Sequence, residues 1–457
     1  MPSASSLCRA RARAAALAAL FFLLRSPAQA AESLAESAAW LQQYLRLDTT
    51  NPPGNEQRGA ELLAGILRRE GLAPRLLVTP AGRVSLYARL EGREPGAVVL
   101  LHHMDVVRPG PQWTVEPFAG EIRRGTLMGR GALDVKSLGI AELAALIDLK
   151  RRGVVPRRSI VYLAVADEEA GGGQGTAFVL THYPELFTDA QVVLNEGGSN
   201  RVVDGQVRWW GVEVAQKRPL WLRISAQGRA GHAAGLQPNS AAHELVRALA
   251  RMLDLRPEYR VTPAARTYLA ALAPLHGGSL GDTLAHLDRA IGPDGPREAL
   301  MPGMAALFLD TVQVTVLAAS EQINVIAAEA SAQIDVRLLP DTDSGAFLAR
   351  LKKALGPNVD TELVLGAPIG HASSSNSDDW RELARALGDE PVVPAFIGGF
   401  TDSRYFRDRG VAAYGISPFA LAGEELRGIH GPDEGIPLAE FAAGCERLRR
   451  VVAALAK

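Results

Sequence analysis

The stretch SIVYLAVADEEAGGG, residues 159–173, decides the fold. Residues 159–166 form an unbroken uncharged run that ends abruptly on Asp167, Glu168 and Glu169 and then on three glycines. A short run without polar alternation reads as a strand buried on both faces, as parallel strands are. Two further runs behave the same way. Ala97–Leu101 leads into His102-His103-Met104-Asp105, and Gln191–Leu194 leads into Asn195-Glu196. Helical patterns over Ser137–Arg152 and Thr176–His182 lie between them. Strands alternating with helices predict an α/β fold, an open mixed sheet with helices on both faces. Ligands bind such sheets beyond the carboxyl ends of the strands, which is where these acids and histidines fall.

From about Lys217 the texture changes. A strand at Leu220–Ala226 and a helix at Asn239–Asp254 precede an Ala/Leu-rich helical stretch, Tyr268–Leu307. Strands at Thr311–Leu317 and Ser331–Leu338, a helix at Ser344–Leu355 and a strand at Glu362–Leu365 follow. This order predicts an inserted α+β, ferredoxin-like domain over 217–367, between two parts of the larger domain at 31–216 and 368–457. Val411–Ile416 reads as a further strand of the larger domain. At 457 residues the chain is long enough for two domains.

Hydrophobic residues make up 47% and charged residues 22%, an ordinary globular balance. The formal net charge of −1 argues against a nucleic-acid partner, since phosphate binding needs a basic face. At the N-terminus, Arg9, Arg11 and Arg13 precede the uncharged run 14–24 and then Ala28-Gln29-Ala30. That is the pattern of a secretory signal over 1–30, predicting export to the periplasm or medium with no membrane span afterwards. An amphipathic helix or an uncleaved anchor is the other reading of the same residues. Cys8 lies in this segment, which leaves Cys445 alone in an apolar helical pattern with Phe441, Leu448 and Val452, a packed thiol.

The chemistry gathers at the strand ends. A histidine such as His103 can bind zinc through one ring nitrogen while the other donates to a carboxylate, a part Asp105 is placed to play. Asp134 lies in GRGALDVKS, residues 129–137, where an acid is either a turn and cap residue or a ligand. A phosphate-binding loop is ruled out because Val135, not Gly, precedes Lys136. Glu168 and Glu169 would repel at the end of a buried strand unless a cation neutralises one. In a dinuclear zinc site one would ligate and the other take a proton from water. Glu196 adds a third strand-end carboxylate, and His430, between Gly and Pro in a loop, is the remaining candidate ligand. The other zinc signature, H-E-x-x-H, fails because Arg247 stands four residues after His243.

The ordered motifs HMDVV, Trp113 with Pro117-Phe118, GRGALDVKS, ADEEAGG, NEGG, GHAA and HGPDE resemble those of the aminoacylase, glutamate carboxypeptidase and carboxypeptidase S family of dinuclear zinc hydrolases. The resemblance spans essentially the whole chain after residue 30. It implies two Zn2+, with Co2+ or Mn2+ as substitutes. Asp134 would bridge them, His103 and Glu196 would complete one site, and Glu169 and His430 the other. Glu168 would be the catalytic base. A cis peptide bond is implied at Asp134-Val135.

Substrate would be held by His232, often reaching across from a partner subunit, by Asn324 and Arg337, and by Gly399 and Thr401 of a third segment. A turn role for His232 and a surface ion pair for Arg337 are the plainer readings. The resemblance also implies a homodimer through the inserted domain. The implied activity is hydrolysis of an amide beside a free carboxylate, either as a carboxypeptidase or dipeptidase, or as an N-acyl-amino-acid hydrolase. A non-catalytic, metal-stabilised binding protein is the reading from outside enzymology. Two departures stand out: His102 occupies the family's usual Gly position, leaving His103 as ligand by register with Asp105, and Arg108 displaces the usual Pro to Pro109.

Overall fold

The computed structural model describes residues 27–297, 300, 303–366 and 370–457. Nearly all of the signal segment 1–30 therefore lies outside the described residues. The three quoted runs become the strands Ala97–His103, Ser159–Val165 and Ala190–Asn195. Ala97–His103 lies in the middle, parallel to both of the others. Alternate side chains of these strands feed two separate cores. Val98, Leu100, Ile160, Tyr162 and Leu194 face one set of helices. Val99, Leu101, Val161, Leu163 and Val193 face another. The period of two thus divides one apolar run between both faces of the sheet.

Around this centre a nine-stranded mixed sheet is built among the described residues. Along it the strands are 75–78, 84–90, 159–165, 97–103, 190–195, 412–415, 206–216 and 392–397, with 201–203 paired at one side. Helices Lys136–Arg151 and Leu438–Leu455 pack against each other on one face. Thr176–His182 and Ser403–Arg407 cover the other. Cys445 is buried as a free thiol in the Leu438–Leu455 helix.

A second sheet, four-stranded and fully antiparallel, runs 311–318, 329–338, 218–227, 360–366. One face carries Leu222, Ile224, Ile334 and Val336 against helices Ala241–Leu253 and Ser344–Leu355. Ser240 and Asp343 cap those helices, accepting from the backbone N–H of His243 and Ala346.

The stretch expected as one helical run, Tyr268–Leu307, is broken into short helices and a small hairpin, because Pro274, Gly277-Gly278 and 292–296 interrupt it. Within the 217–367 segment, this stretch does not join the small sheet. Tyr268, Leu269, Leu272, Leu287, Leu307 and Phe308 bury themselves in the large core instead. The apolar face of these short helices finds its cover there, against the strand Val392–Ile397.

Candidate metal centre

Three strand ends and two loops meet at one edge of the large sheet. His103 is buried as the last residue of its strand, and its Nδ1 lies 2.8 Å from the backbone carbonyl of Asp105. A carbonyl can only accept, so Nδ1 carries a proton, and Nε2 is the nitrogen left to face the cluster. It lies against carboxylate oxygens, Asp134 Oδ1 at 3.1 Å and Glu196 Oε1 at 3.6 Å. Asp134 Oδ2 lies 3.0 Å from His430 Nε2, which is 3.3 Å from Glu169 Oε2. The two oxygens of Asp134 are thus divided between two histidines, each with its own glutamate. The Asp134-Val135 peptide bond is cis, as expected.

Buried acceptors facing one another need a cation between them, and the structure shows the need twice over. Glu168 Oε1 and Glu169 Oε1 are buried without a hydrogen-bond partner. Burial, and then the neighbouring charges, push the carboxyl of Glu168 well above its ordinary range and that of Glu196 up to about 8. Burial opposes ionisation of Asp134 too, but its bonds to His103 and His430 hold it below the usual carboxylate range. Those to Asp134 and Glu169 push His430 up to about 10. Imidazoles and carboxylates together are a donor set for zinc, cobalt or manganese, so these residues fit the metal that the sequence implies. Two triads have ligand atoms within 4.8 Å of one another: His103 with Asp134 and Glu169, and His103 with Glu168 and Glu196. Glu168 is therefore within reach of a cation, but unlike Glu169 and Glu196 it makes no ion-pair contact with either histidine.

The period of two settles the paired histidines. His102 points to the opposite face, where Nδ1 meets Glu142 Oε2 at 3.1 Å, and burial pushes its ring down to about 3. A Cβ at Gly139 would land 2.3 Å from that ring, which accounts for the glycine in the helix.

Asp105 acts differently from expectation. Its backbone carbonyl, not its carboxylate, takes the His103 proton, and Oδ1 stands 3.7 Å from Nδ1. The carboxylate accepts from the backbone N–H of Glu168 and of Glu169, each at 3.1 Å, and from Asn51 Nδ2 at 2.8 Å. The sharp turn that starts at Asp167, with φ of 70°, draws those N–H groups inward, where a carboxylate is the natural acceptor. Asp105 thus fixes the pair of glutamates.

Glu434 escaped the sequence reading although it closes the quoted motif HGPDE. It is fully buried, and Oε1 accepts from the backbone N–H of Leu133 and Asp134 at 2.6 and 3.0 Å. Oε2 accepts from Gly131 N–H at 2.9 Å and pairs with Arg130 Nη1 at 2.6 Å. Arg130 donates in turn to the carbonyl of Gly431, beside His430. One ion pair therefore ties the Asp134 loop to the His430 loop. An acid two residues after the loop's Pro was the available signal.

The substrate residues divide into two groups. Arg337 lies on the open face of the small sheet, paired with Asp335 at 2.6 Å, and its guanidinium stands 4.5 Å from the ring centroid of Phe400. Arg404 stands at 4.5 Å from the same ring. Gly399 is open, with nothing near its missing Cβ. Thr401 is buried, and its hydroxyl is engaged by Gln216 Oε1 and Asn195 Nδ2, so its side chain supports the loop and does not offer a free contact. His232 and Asn324 stand apart from the cluster of this chain. His232 ends one strand of an exposed two-stranded ribbon, and Asn324 lies in the turn just before the other strand, its carbonyl accepting from the Ala233 N–H. Neither is hydrogen-bonded to the carboxylate–histidine cluster of this chain, because the ribbon projects from the small sheet into solvent.

A sequence profile of Peptidase family M20/M25/M40 matches residues 99–454. The chain is 27% identical to human Aminoacylase-1 over 434 residues, covering 92% of this chain and 95% of that protein. The structure is similar to human carnosine dipeptidase 1, with a TM-score of 0.71 and 14% identity over 94% of this chain and 98% of that one. It is also similar to Sso-CP2, an M20 family metallo-carboxypeptidase from Sulfolobus solfataricus, with a TM-score of 0.70 and 18% identity over 92% and 99%. At such identities the likeness of structures concerns the fold. Among the described residues no helix is long and apolar enough to cross a membrane. With the profile covering residues 99–454, the chain belongs to the M20/M25/M40 peptidase family and is a metal-dependent hydrolase.

Proposed function

We propose that the chain is a dinuclear-zinc amide hydrolase acting on small substrates with a free carboxylate next to the scissile amide. The observation that carries this is the division of Asp134, Oδ1 to His103 and Oδ2 to His430, with one glutamate on each side. In this reading His103 and Glu196 hold one ion, Glu169 and His430 the other, and Asp134 both. When bound, zinc supplies Lewis-acid activation of water and of the amide carbonyl. Glu168 takes the proton from the attacking water at its unpartnered Oε1 and returns it to the leaving nitrogen. Burial keeps the Glu168 carboxyl basic enough for that exchange.

Arg337 and the open backbone at Gly399 receive the carboxylate end. His232 and Asn324 act from the partner protomer of a homodimer formed through the small sheet, where Leu317 and Leu363 are exposed, as is Ile323 in the turn beside the ribbon. The Arg9–Ala30 pattern supports an exported enzyme. Both carboxypeptidase-like dipeptide cleavage and N-acyl-amino-acid hydrolysis fit these groups.

The test is elemental analysis of the purified chain with an amide-hydrolysis assay before and after chelation. Two zinc per chain and zinc-restored activity are expected, and one zinc with full activity would overturn the dinuclear assignment. Mixing His232→Ala with Glu168→Gln protein tests the action in trans. Recovery of activity in the mixture is expected, because a mixed dimer holds one complete site.

A further inference from the structure

Helix Lys136–Arg151 starts directly after Asp134 and Val135 and packs on the strands Ala97–His103 and Ser159–Val165. It shares one apolar core with Leu100 and Ile160 of those strands. Apolar burial attracts without direction, so by itself it fixes only loosely how far a helix slides along a sheet. A hydrogen bond weakens steeply as its angle and distance change, and so fixes that position closely. A metal centre needs the closer kind, because its ligand distances hold to within about 0.2 Å.

Positions 136, 139 and 142, on successive turns of one helix face, carry such directed contacts, and each leads to a segment that supplies the site. Lys136 Nζ donates to the carbonyls of Tyr44 and Leu47 at 3.2 and 2.9 Å. Thr49, just beyond, donates from its hydroxyl to the Met104 carbonyl at 2.7 Å, next to His103. The Gly139 carbonyl accepts from the Tyr162 hydroxyl at 3.1 Å, on the strand that runs into Glu168 and Glu169. Glu142 Oε2 meets His102 Nδ1 at 3.1 Å, on the strand that ends with His103.

The contact at 142 is the costly one. His102 and Glu142 are both fully buried, so two ionisable groups are taken out of water to make it. The helix also gives up a side chain at Gly139 to make room for the His102 ring, and glycine weakens a helix interior. His102 Nε2 and Glu142 Oε1 have no further partner among the described residues, so the pair is joined only to itself. Two apolar residues would fill the same space at less cost, which leaves direction as what the pair contributes. We propose, resting on the metal-centre reading above, that His102 and Glu142 are a positioning pair for that centre. They set where the strand end bearing His103 stands along the helix that follows Asp134. From the far side of the sheet they thereby hold His103 Nε2 at 3.1 Å from Asp134 Oδ1.

The test is the full chain carrying His102→Leu together with Glu142→Leu, beside Glu142→Gln and, as a control for plain packing loss, Leu149→Ala at the far end of the same helix. Replacing both members of a buried pair with apolar residues leaves stability near that of the wild type, so a change at the centre is not a loss of fold. The double variant should bind zinc about tenfold more weakly, the scale of outer-shell substitutions. The visible absorption bands of its cobalt form should also move, because they report the ligand arrangement around the ion. Glu142→Gln keeps an oxygen facing Nδ1 and should restore both readouts. Leu149→Ala should lower the melting temperature and change neither. Wild-type affinity and bands in the double variant, or equal losses in Leu149→Ala, would overturn the proposal. If the double variant does not fold, His102→Gly with Glu142→Leu repeats the comparison with the same expected readouts. Failure of the wild-type chain to bind zinc or cobalt would instead overturn the metal-centre reading. Metal-free crystal structures of the wild type and the double variant then decide the pair alone. A His103 Nε2 to Asp134 Oδ1 separation that differs between them by more than about 0.2 Å supports it, and an unchanged one sinks it.

Discussion

In the large sheet the strand Ser159–Val165 is buried at every position, while in the small sheet Glu329–Leu338 alternates between buried and open residues. Both arrangements are stable, but they treat polar groups differently. A strand covered on both faces has nowhere to put an acid except its end, and an acid there is desolvated by its surroundings. Glu168, Glu169 and Glu196 are all in this position, which is why they act as a cluster and demand a cation. In the small sheet the polar side chains Arg223, Gln333 and Arg337 lie on an open face, where water or a near neighbour satisfies each one separately. Burial forces charges together in the large sheet, and exposure lets each be satisfied on its own in the small one, as Arg337 is by Asp335.

The contrast can be broken most directly at Glu168. Glu168→Gln keeps the shape and removes the proposed base, so kcat should fall by about 10²–10⁴-fold with zinc content unchanged. Near-normal turnover would mean that the buried acid is only a structural or ligand group. Next in size is Glu434→Ala. It leaves Arg130 buried and unpaired and three loop N–H groups without their acceptor. A loss of about 3–5 kcal/mol in denaturant unfolding is expected, together with weaker zinc retention.

A third measurement follows from the acids themselves. Without metal, the folded chain keeps a proton on Glu196 up to about pH 8, because burial raises it, whereas a free glutamate loses it near 4.5. The folded state then binds more protons than the unfolded state between those values, so stability falls as pH rises through that window. His430, pushed up to about 10, adds a loss of the same sign above its ordinary 6.5. The melting temperature of the chelated chain should therefore drop by several degrees from pH 5 to pH 8, and the zinc-loaded chain should show a smaller drop. Equal drops would show that the cluster does not govern the effect. The smallest expected effect lies in the small sheet's cover. Ser240→Ala removes the cap of helix Ala241–Leu253 and should cost about 1 kcal/mol, leaving zinc content intact.

What could be read in the sequence follows the same division. The runs 97–101, 159–166 and 191–194 are local patterns, and the ligand-type residues that end them are local too, so strand and site emerged together. The order of elements around 217–367 was also legible. The destination of Tyr268–Leu307 was not, because an amphipathic segment does not say which core it will cover. Glu434 and Arg130 were missed for a related reason: the partners stand 304 residues apart and share no pattern. Asn51, bridging Asp105 and Asp167, is another such case, fixed by a loop far from the strands it serves. The choice between His102 and His103 was available from alternation together with the register to Asp105, since neighbours on a strand face opposite sides.

The strand Ala412–Gly415 sits between Ala190–Asn195 and Gln206–Gln216, although it is made long after both. During synthesis, everything up to the small sheet is therefore outside the ribosome while the large sheet still has a slot at its centre. The strands on either side expose unpaired backbone until the late strand arrives, and such edges recruit strands from other chains. Products ending before residue 412 are thus the forms expected to aggregate or to be held by chaperones. His430, which arrives later still, makes the metal centre one of the last parts to be completed.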